Sequence, residues 1–142
     1  MDNKNEEIIL AQWQTCVEMA NSVSQRRDTM NNIFVTVNLA IIAAVSLTFE
    51  FKSIFILAAG IVLCILWILF IGNYKLLNAA KFKVIQQIED KLPVSPFKDE
   101  WEELKKNKRY KDGTRLETIL PIMFMILYAI AIIVIIVSKG KC

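Results

Sequence analysis

Residues 33–49, IFVTVNLAIIAAVSLTF, followed by Glu50-Phe51-Lys52 and then residues 53–71, SIFILAAGIVLCILWILFI, decide the fold. The two apolar runs hold 17 and 19 residues without a charged side chain. At about 1.5 Å per residue, each approaches the roughly 30 Å hydrocarbon core of a bilayer, the first if its helix begins near Met30. Three intervening residues leave room only for a tight helical hairpin, so the two spans are expected to be antiparallel neighbours. Further along, Ile119 to Val137 is a third uncharged run, also of 19 residues.

Composition agrees with that reading. In a chain of 142 residues, 55% are hydrophobic, and the mean hydropathy is +0.42. A soluble core of this size has no room for that apolar share, so the excess is expected to meet lipid. The opening Asp2, Asn3, Lys4, Asn5, Glu6, Glu7 is unlike a cleavable secretory signal, and retention of the N-terminus is expected. What remains outside the apolar runs is too short for a catalytic domain of ordinary size.

Charge sets an expected orientation. Three Lys or Arg precede the first span, one stands in the hairpin turn, eleven lie from Tyr74 to Glu117, and two follow the third span. Odd-numbered flanks share one side, which gives 14 basic residues against three. The positive-inside rule then predicts that the N-terminus and the segment 74–117 lie inside and that the hairpin turn and the C-terminus lie outside. The expected segments are a cytoplasmic amphipathic helix (1–31), a transmembrane hairpin (32–73), a cytoplasmic helical segment (74–117) and a third transmembrane helix with a short outside tail (118–142). The fold class is an all-α membrane protein: three transmembrane helices plus an N-terminal amphipathic helix and a small cytoplasmic helical cap.

Ahead of the first span, Ile9, Trp13, Cys16, Ala20 and Val23 recur at alternating intervals of four and three, and Met30 keeps the phase. This is a heptad seam, interrupted at Arg27. Its polar face carries Glu6, Glu7, Glu18 and Asp28, a poor match for anionic lipid, so packing against protein is expected. Beyond the second span, Tyr74 to Leu92 reads as a helix with Leu77, Ala80, Val84, Ile88 and Leu92 on one side and Lys75, Lys83, Glu89 and Asp90 elsewhere. Pro93 and Pro96 end it, Asp99 to Arg109 reads as a short charged helix, and Asp112-Gly113 as a turn. Ile9, Trp13, Cys16, Ala20, Val23, Leu77, Val84 and Ile88 are the expected oligomer or helix-packing residues.

Arg26, Arg27 and Asp28 are boundary charges, read either as snorkelling topology anchors or as holders of lipid phosphates. Thr36 and Asn38 are the intramembrane polar residues of the first span. An unpaired amide is costly there, so Asn38 is expected to meet another helix of its own subunit, with lining of an intersubunit axis as the competing reading. Ala40, Ala43, Ala44 and Ser46, with Ala58, Ala59 and Gly60, are expected to permit close hairpin packing. Trp67 and Tyr74 read as interface anchors or packing residues, and Pro121 is expected in the first turn of the third helix.

Catalytic chemistry has no candidate residues: the chain has no histidine, phosphate-cradling glycine loop, GxSxG or convergent carboxylate pair. Cys16, Cys64 and Cys142 lack CxxC spacing, so no metal and no cofactor is expected. The run Lys105, Lys106, Lys108, Arg109, Lys111 follows Glu100, Glu102 and Glu103, which favours membrane lipid and topology over nucleic acid.

Taken together, Ser24-Gln-Arg-Arg-Asp-Thr29, Asn32, Phe34-Val-Thr-Val-Asn38, Trp67, Tyr74, Leu77-Asn-Ala-Ala-Lys-Phe-Lys-Val-Ile85, Leu92-Pro93, Pro96 and Glu100-Trp101 resemble the RipA family of octameric bacterial membrane proteins. The resemblance implies a homo-octamer in the cytoplasmic membrane and, from the founding member, a link to adaptation and growth inside host cells. The layout is also similar to the small membrane effectors called SLATT proteins, which accompany nucleotide-signalling antiviral systems. Two roles follow as expectations: a ring-like membrane scaffold or adaptation factor with a possible unidentified cytoplasmic partner, and a pore-forming or membrane-disrupting defence effector.

Overall fold

A computed structural model describes residues 3–47, 50–107 and 113–139. Among these residues there are four helices and no strand: α1 (Asn3–Leu47), α2 (Ser53–Glu89), α3 (Pro96–Lys106) and α4 (Gly113–Lys139). Helices α1, α2 and α4 are long and apolar enough to cross a membrane. The chain is an all-α membrane protein.

The amphipathic segment and the first span form one unbroken 45-residue element. No Gly or Pro falls between Asn3 and Leu47 to interrupt the backbone hydrogen-bond ladder. In the same way α2 runs past Tyr74 without a stop and ends at Glu89, three residues short of the Leu92 expected from periodicity. Turn hydrogen bonds from the backbone N–H of Lys91 to Ile88 O and of Leu92 to Glu89 O close it off before Pro93. Helix α3 begins three residues earlier than its charge pattern suggests. Pro96, expected to help end the preceding helix, begins α3 with Phe97 in its first turn, because proline at a helix start gives up an N–H that would have no partner there. Arg109 and Asp112 lie outside the described residues. Gly113 is already the first residue of α4, which places Pro121 well inside that helix, not in its first turn.

Two compact units divide the chain. One comprises Met1–Arg27 and Asn73–Asp112, the other Asp28–Gly72 and Gly113–Cys142.

In the second unit the hairpin closes through Glu50-Phe51-Lys52, with the Ser53 N–H donating to Glu50 O at 2.9 Å. Phe34, Val45, Leu57, Trp67, Ile71, Phe124 and Ile135 form the apolar core that joins α1, α2 and α4. The Phe34 and Trp67 rings stack with centroids 5.5 Å apart and planes 6° from parallel. Gly60 lies against Tyr128, so close that a Cβ there would stand 2.6 Å from Tyr128 Cε2. Of the small residues expected at the hairpin seam, only Gly60 is buried; Ala40, Ala43, Ala44, Ser46, Ala58 and Ala59 are exposed. The seam is filled by the larger side chains, which remove more apolar surface per contact.

In the first unit Ala20, Val23 and Ile85 are buried where α1 packs on α2. Helix α3 docks through Phe97, whose ring lies 5.9 Å from Trp13 and 5.7 Å from Phe82.

Candidate functional site

Among the described residues, each unit has a polar side chain with no exposed surface. In the first it is Glu89, the last residue of α2, which has no exposed surface. Its Oε1 accepts from Trp13 Nε1 at 3.3 Å and from the Phe97 backbone N–H at 3.1 Å. Its Oε2 accepts from the Lys98 backbone N–H at 3.2 Å. Phe97 and Lys98 belong to the first turn of α3, whose N–H groups have no partner within the helix. Ser95, next to Pro96 at the N-cap, makes no side-chain cap hydrogen bond; its hydroxyl donates to Glu89 O at 3.4 Å. Glu89 therefore does from another helix what an N-cap side chain ordinarily does, with a carboxylate at the positive end of the helix dipole. Periodicity had assigned Glu89 to the polar side of its helix. Three converging donors explain how it sits inside instead.

In the second unit the centre is Asn38, also without exposed surface. The Tyr128 hydroxyl donates to Asn38 Oδ1 at 2.6 Å, and Cys64 Sγ donates to the same oxygen at 3.2 Å. Asn38 Nδ2 donates to Phe34 O at 2.7 Å. Helices α1, α2 and α4 thus meet on one amide. A second relay runs from Trp67 Nε1 to Asn31 Oδ1 at 2.8 Å, and from Asn31 Nδ2 to Glu117 Oε2 at 3.2 Å.

Asn38 meets other helices of its own chain. Thr36 is exposed and donates its hydroxyl to Asn32 O at 2.8 Å. Two positions along a helix amount to about 200° around it, so Thr36 and Asn38 face opposite ways. Of the seam residues, Ala20 and Val23 are buried and Ile9, Trp13 and Cys16 half-buried. On α2, Ile88 is half-buried, but Leu77, Ala80 and Val84 are exposed. The face of α2 packed within the chain runs through Asn78, Ile85 and Glu89, and Asn78 Nδ2 reaches Ser24 Oγ at 3.5 Å. Arg26 and Asp28 are exposed and Arg27 half-buried. Cys16 and Cys64 are free thiols, and Cys142 lies outside the described residues. Among the described residues, no group of three or more Cys, Asp or Glu side chains is placed to hold a metal ion.

A model of the octameric membrane protein family (8xMP) matches residues 10–137, nearly the whole chain. The chain belongs to the octameric membrane protein family. No curated protein and no solved structure matches it.

Within this member of the octameric family, several residues of the sequence resemblance fall on contacts that lock helices together. Ser24 meets Asn78, Phe34 stacks on Trp67, Asn38 gathers Tyr128 and Cys64, and Phe82 and Pro96 help seat α3. Sequence reasoning did not single out Glu89 or Tyr128. Tyr128 carries the only aromatic hydroxyl in the third apolar run, a group that needs an acceptor in hydrocarbon. Trp13, in a heptad seam, likewise required an acceptor for its indole N–H.

Proposed function

We propose that this protein is a ring-forming, homo-oligomeric scaffold or adaptation factor of the bacterial cytoplasmic membrane that works without catalysis, organising lipid or a cytoplasmic partner through its basic segments. The narrower RipA likeness and an N-terminus-inside orientation belong to this reading, the latter supported by 14 basic residues against three. The observation that carries it is Asn38. Its amide is the strongest polar group deep in the first span, yet it is fully buried and committed to Phe34, Cys64 and Tyr128 of its own chain. A side chain held this way ties helices together and lines no aqueous path. Membership of an octameric family supports the assembly.

A pore-forming effector is the second reading, favoured by one feature. Thr29, Asn32 and Thr36 are exposed at intervals of three and four on α1 and line a shallow groove with Ile33 and Val37. In a ring such a stripe would face an axis or a neighbour. Overproduction in cells carrying a membrane-potential dye separates the two. A scaffold leaves the potential unchanged, whereas depolarisation that disappears in Asn32→Leu or Thr36→Val chains would overturn the scaffold and establish the pore.

A further inference from the structure

The first unit has two unlike sides. On α1, Trp13 carries the contact with α3, while Ala11 and Thr15, two positions before and after it, lie on the opposite side of the helix. On α2, Phe82 carries the α3 contact, and Ala80 and Val84 stand opposite it in the same way. Away from α3, Ile8, Ala11, Gln12, Thr15 and Cys16 of α1 form an open groove with Ile88 of α2. The antiparallel register set by Trp13–Glu89 and Ser24–Asn78 brings Met19 level with Lys83 and Val84, so the apolar surface continues along the pair. Ile8 is 49% exposed, Met19 46%, Leu77 45% and Val84 47%. In a segment rich in charge, so continuous an uncovered apolar face calls for an occupant.

We infer that this face is the seat for α3 of a second copy of the chain, making the contact that propagates the ring. The inference rests on the ring-forming reading above and names where its subunits meet. A closed ring requires two different, complementary faces on opposite sides of each protomer. The groove side and the α3 side meet that requirement. Helix α3 has no fully buried residue and leaves Trp101 45% exposed, with Val94 just before the helix 70% exposed. Charge also matches. The α2 rim of the groove carries Lys83 and α3 carries Glu100, Glu102 and Glu103; the α1 rim carries Glu7 and Glu18 and α3 ends in Lys105 and Lys106. Aromatic anchors in an apolar groove with charged rims are what a specific subunit contact uses.

The test uses the full chain with Cys16→Ser and Cys142→Ser, oxidised in native membranes. Val84→Cys and Trp101→Cys together should produce a ladder of crosslinked species rising toward eight chains, and each substitution alone should give no ladder and no dimer. Val84→Glu should remove the oligomer in native mass spectrometry while circular dichroism stays helical. Dimers from Val84→Cys alone would show that the groove meets itself and overturn the inference. A Val84→Glu chain that assembles as the unaltered chain does would overturn it too, with the ring reading intact. Should the unaltered chain itself be monomeric, the ring reading and this inference fall together.

Discussion

The two units each solve the problem of a buried polar group, and they choose different chemistry. In the unit built from the apolar spans, the centre is the neutral amide of Asn38, satisfied by a phenol, a thiol and a backbone carbonyl. In the other unit it is the acidic side chain of Glu89, satisfied by an indole and two backbone N–H groups. A carboxylate costs far more than an amide to carry into hydrocarbon, and the donors that hold one are most readily found at a helix start. The comparison teaches that the first unit is held by a built electrostatic contact at a helix start, and the second by shape together with hydrogen-bonded side chains around Asn38 and Asn31.

Replacing Glu89 by Leu is the hardest blow to that contrast. It leaves Trp13 Nε1 and the Phe97 and Lys98 N–H groups without their acceptor, a loss of roughly 3 kcal/mol. Hydrogen exchange on the full chain in nanodiscs should show fast exchange at Phe97 and Lys98 with the span amides unchanged. Glu89→Gln keeps an acceptor and sheds the charge, and should cost about 1 kcal/mol. Equal exchange in the two variants would mean that charge, not hydrogen bonding, does the holding.

Gly60→Ala probes the shape half of the contrast. The added Cβ would meet the edge of the Tyr128 ring at 2.6 Å, and that ring cannot retreat without giving up its 2.6 Å bond to Asn38. Overpacking of this kind costs about 1–3 kcal/mol. Gly72→Ala is the control, since nothing lies within 4 Å of its added methyl and alanine is the better helix former. Thermal unfolding in detergent should fall for the first variant and hold or rise for the second.

Asn38→Leu should cost less, about 1 kcal/mol, because polar contacts between membrane helices are individually modest. It removes the acceptor of Cys64 and the nearer acceptor of Tyr128, whose hydroxyl keeps the backbone carbonyl of residue 38 at 3.2 Å, and it adds apolar bulk compatible with the surrounding core. A loss as large as that of Glu89→Leu would erase the distinction between the two centres.

These residues also show what the sequence could and could not tell. The spans and the hairpin were legible because uncharged runs of bilayer length have few alternatives in water. A 3.5-residue period marks one face of α1, on which Ala20 and Val23 are buried and Ile9, Trp13 and Cys16 half-buried. The α2 stripe through Leu77 and Val84, expected at an oligomer or helix contact, is uncovered within the chain, while the side packed within the chain carries Asn78 and Glu89. Periodicity reports which surface is apolar and is silent on whether the cover comes from the same chain. Glu89 escaped notice because its partners are backbone N–H groups of α3, and every sequence has those.

The smallest effect is expected at Asp90, the neighbour of Glu89 in sequence and its opposite in setting. Lys98 Nζ donates to Asp90 Oδ1 at 2.9 Å, with both side chains at least half exposed. The hydrogen bond to Asp90 and its charge hold the Lys98 ammonium above the ordinary value of 10.5. A pKa raised on folding adds stability that is fully present below about 10.5 and is lost as pH rises through the folded value, so the contact is constant across the physiological range. Solvent screening keeps an exposed pair of this kind weak, and Asp90→Asn should leave α3 amide exchange at pH 7 unchanged within error. If Asp90→Asn instead loosened Phe97 and Lys98 as Glu89→Leu does, the docking of α3 would depend on surface charge and not on the buried carboxylate, and raising salt would release it.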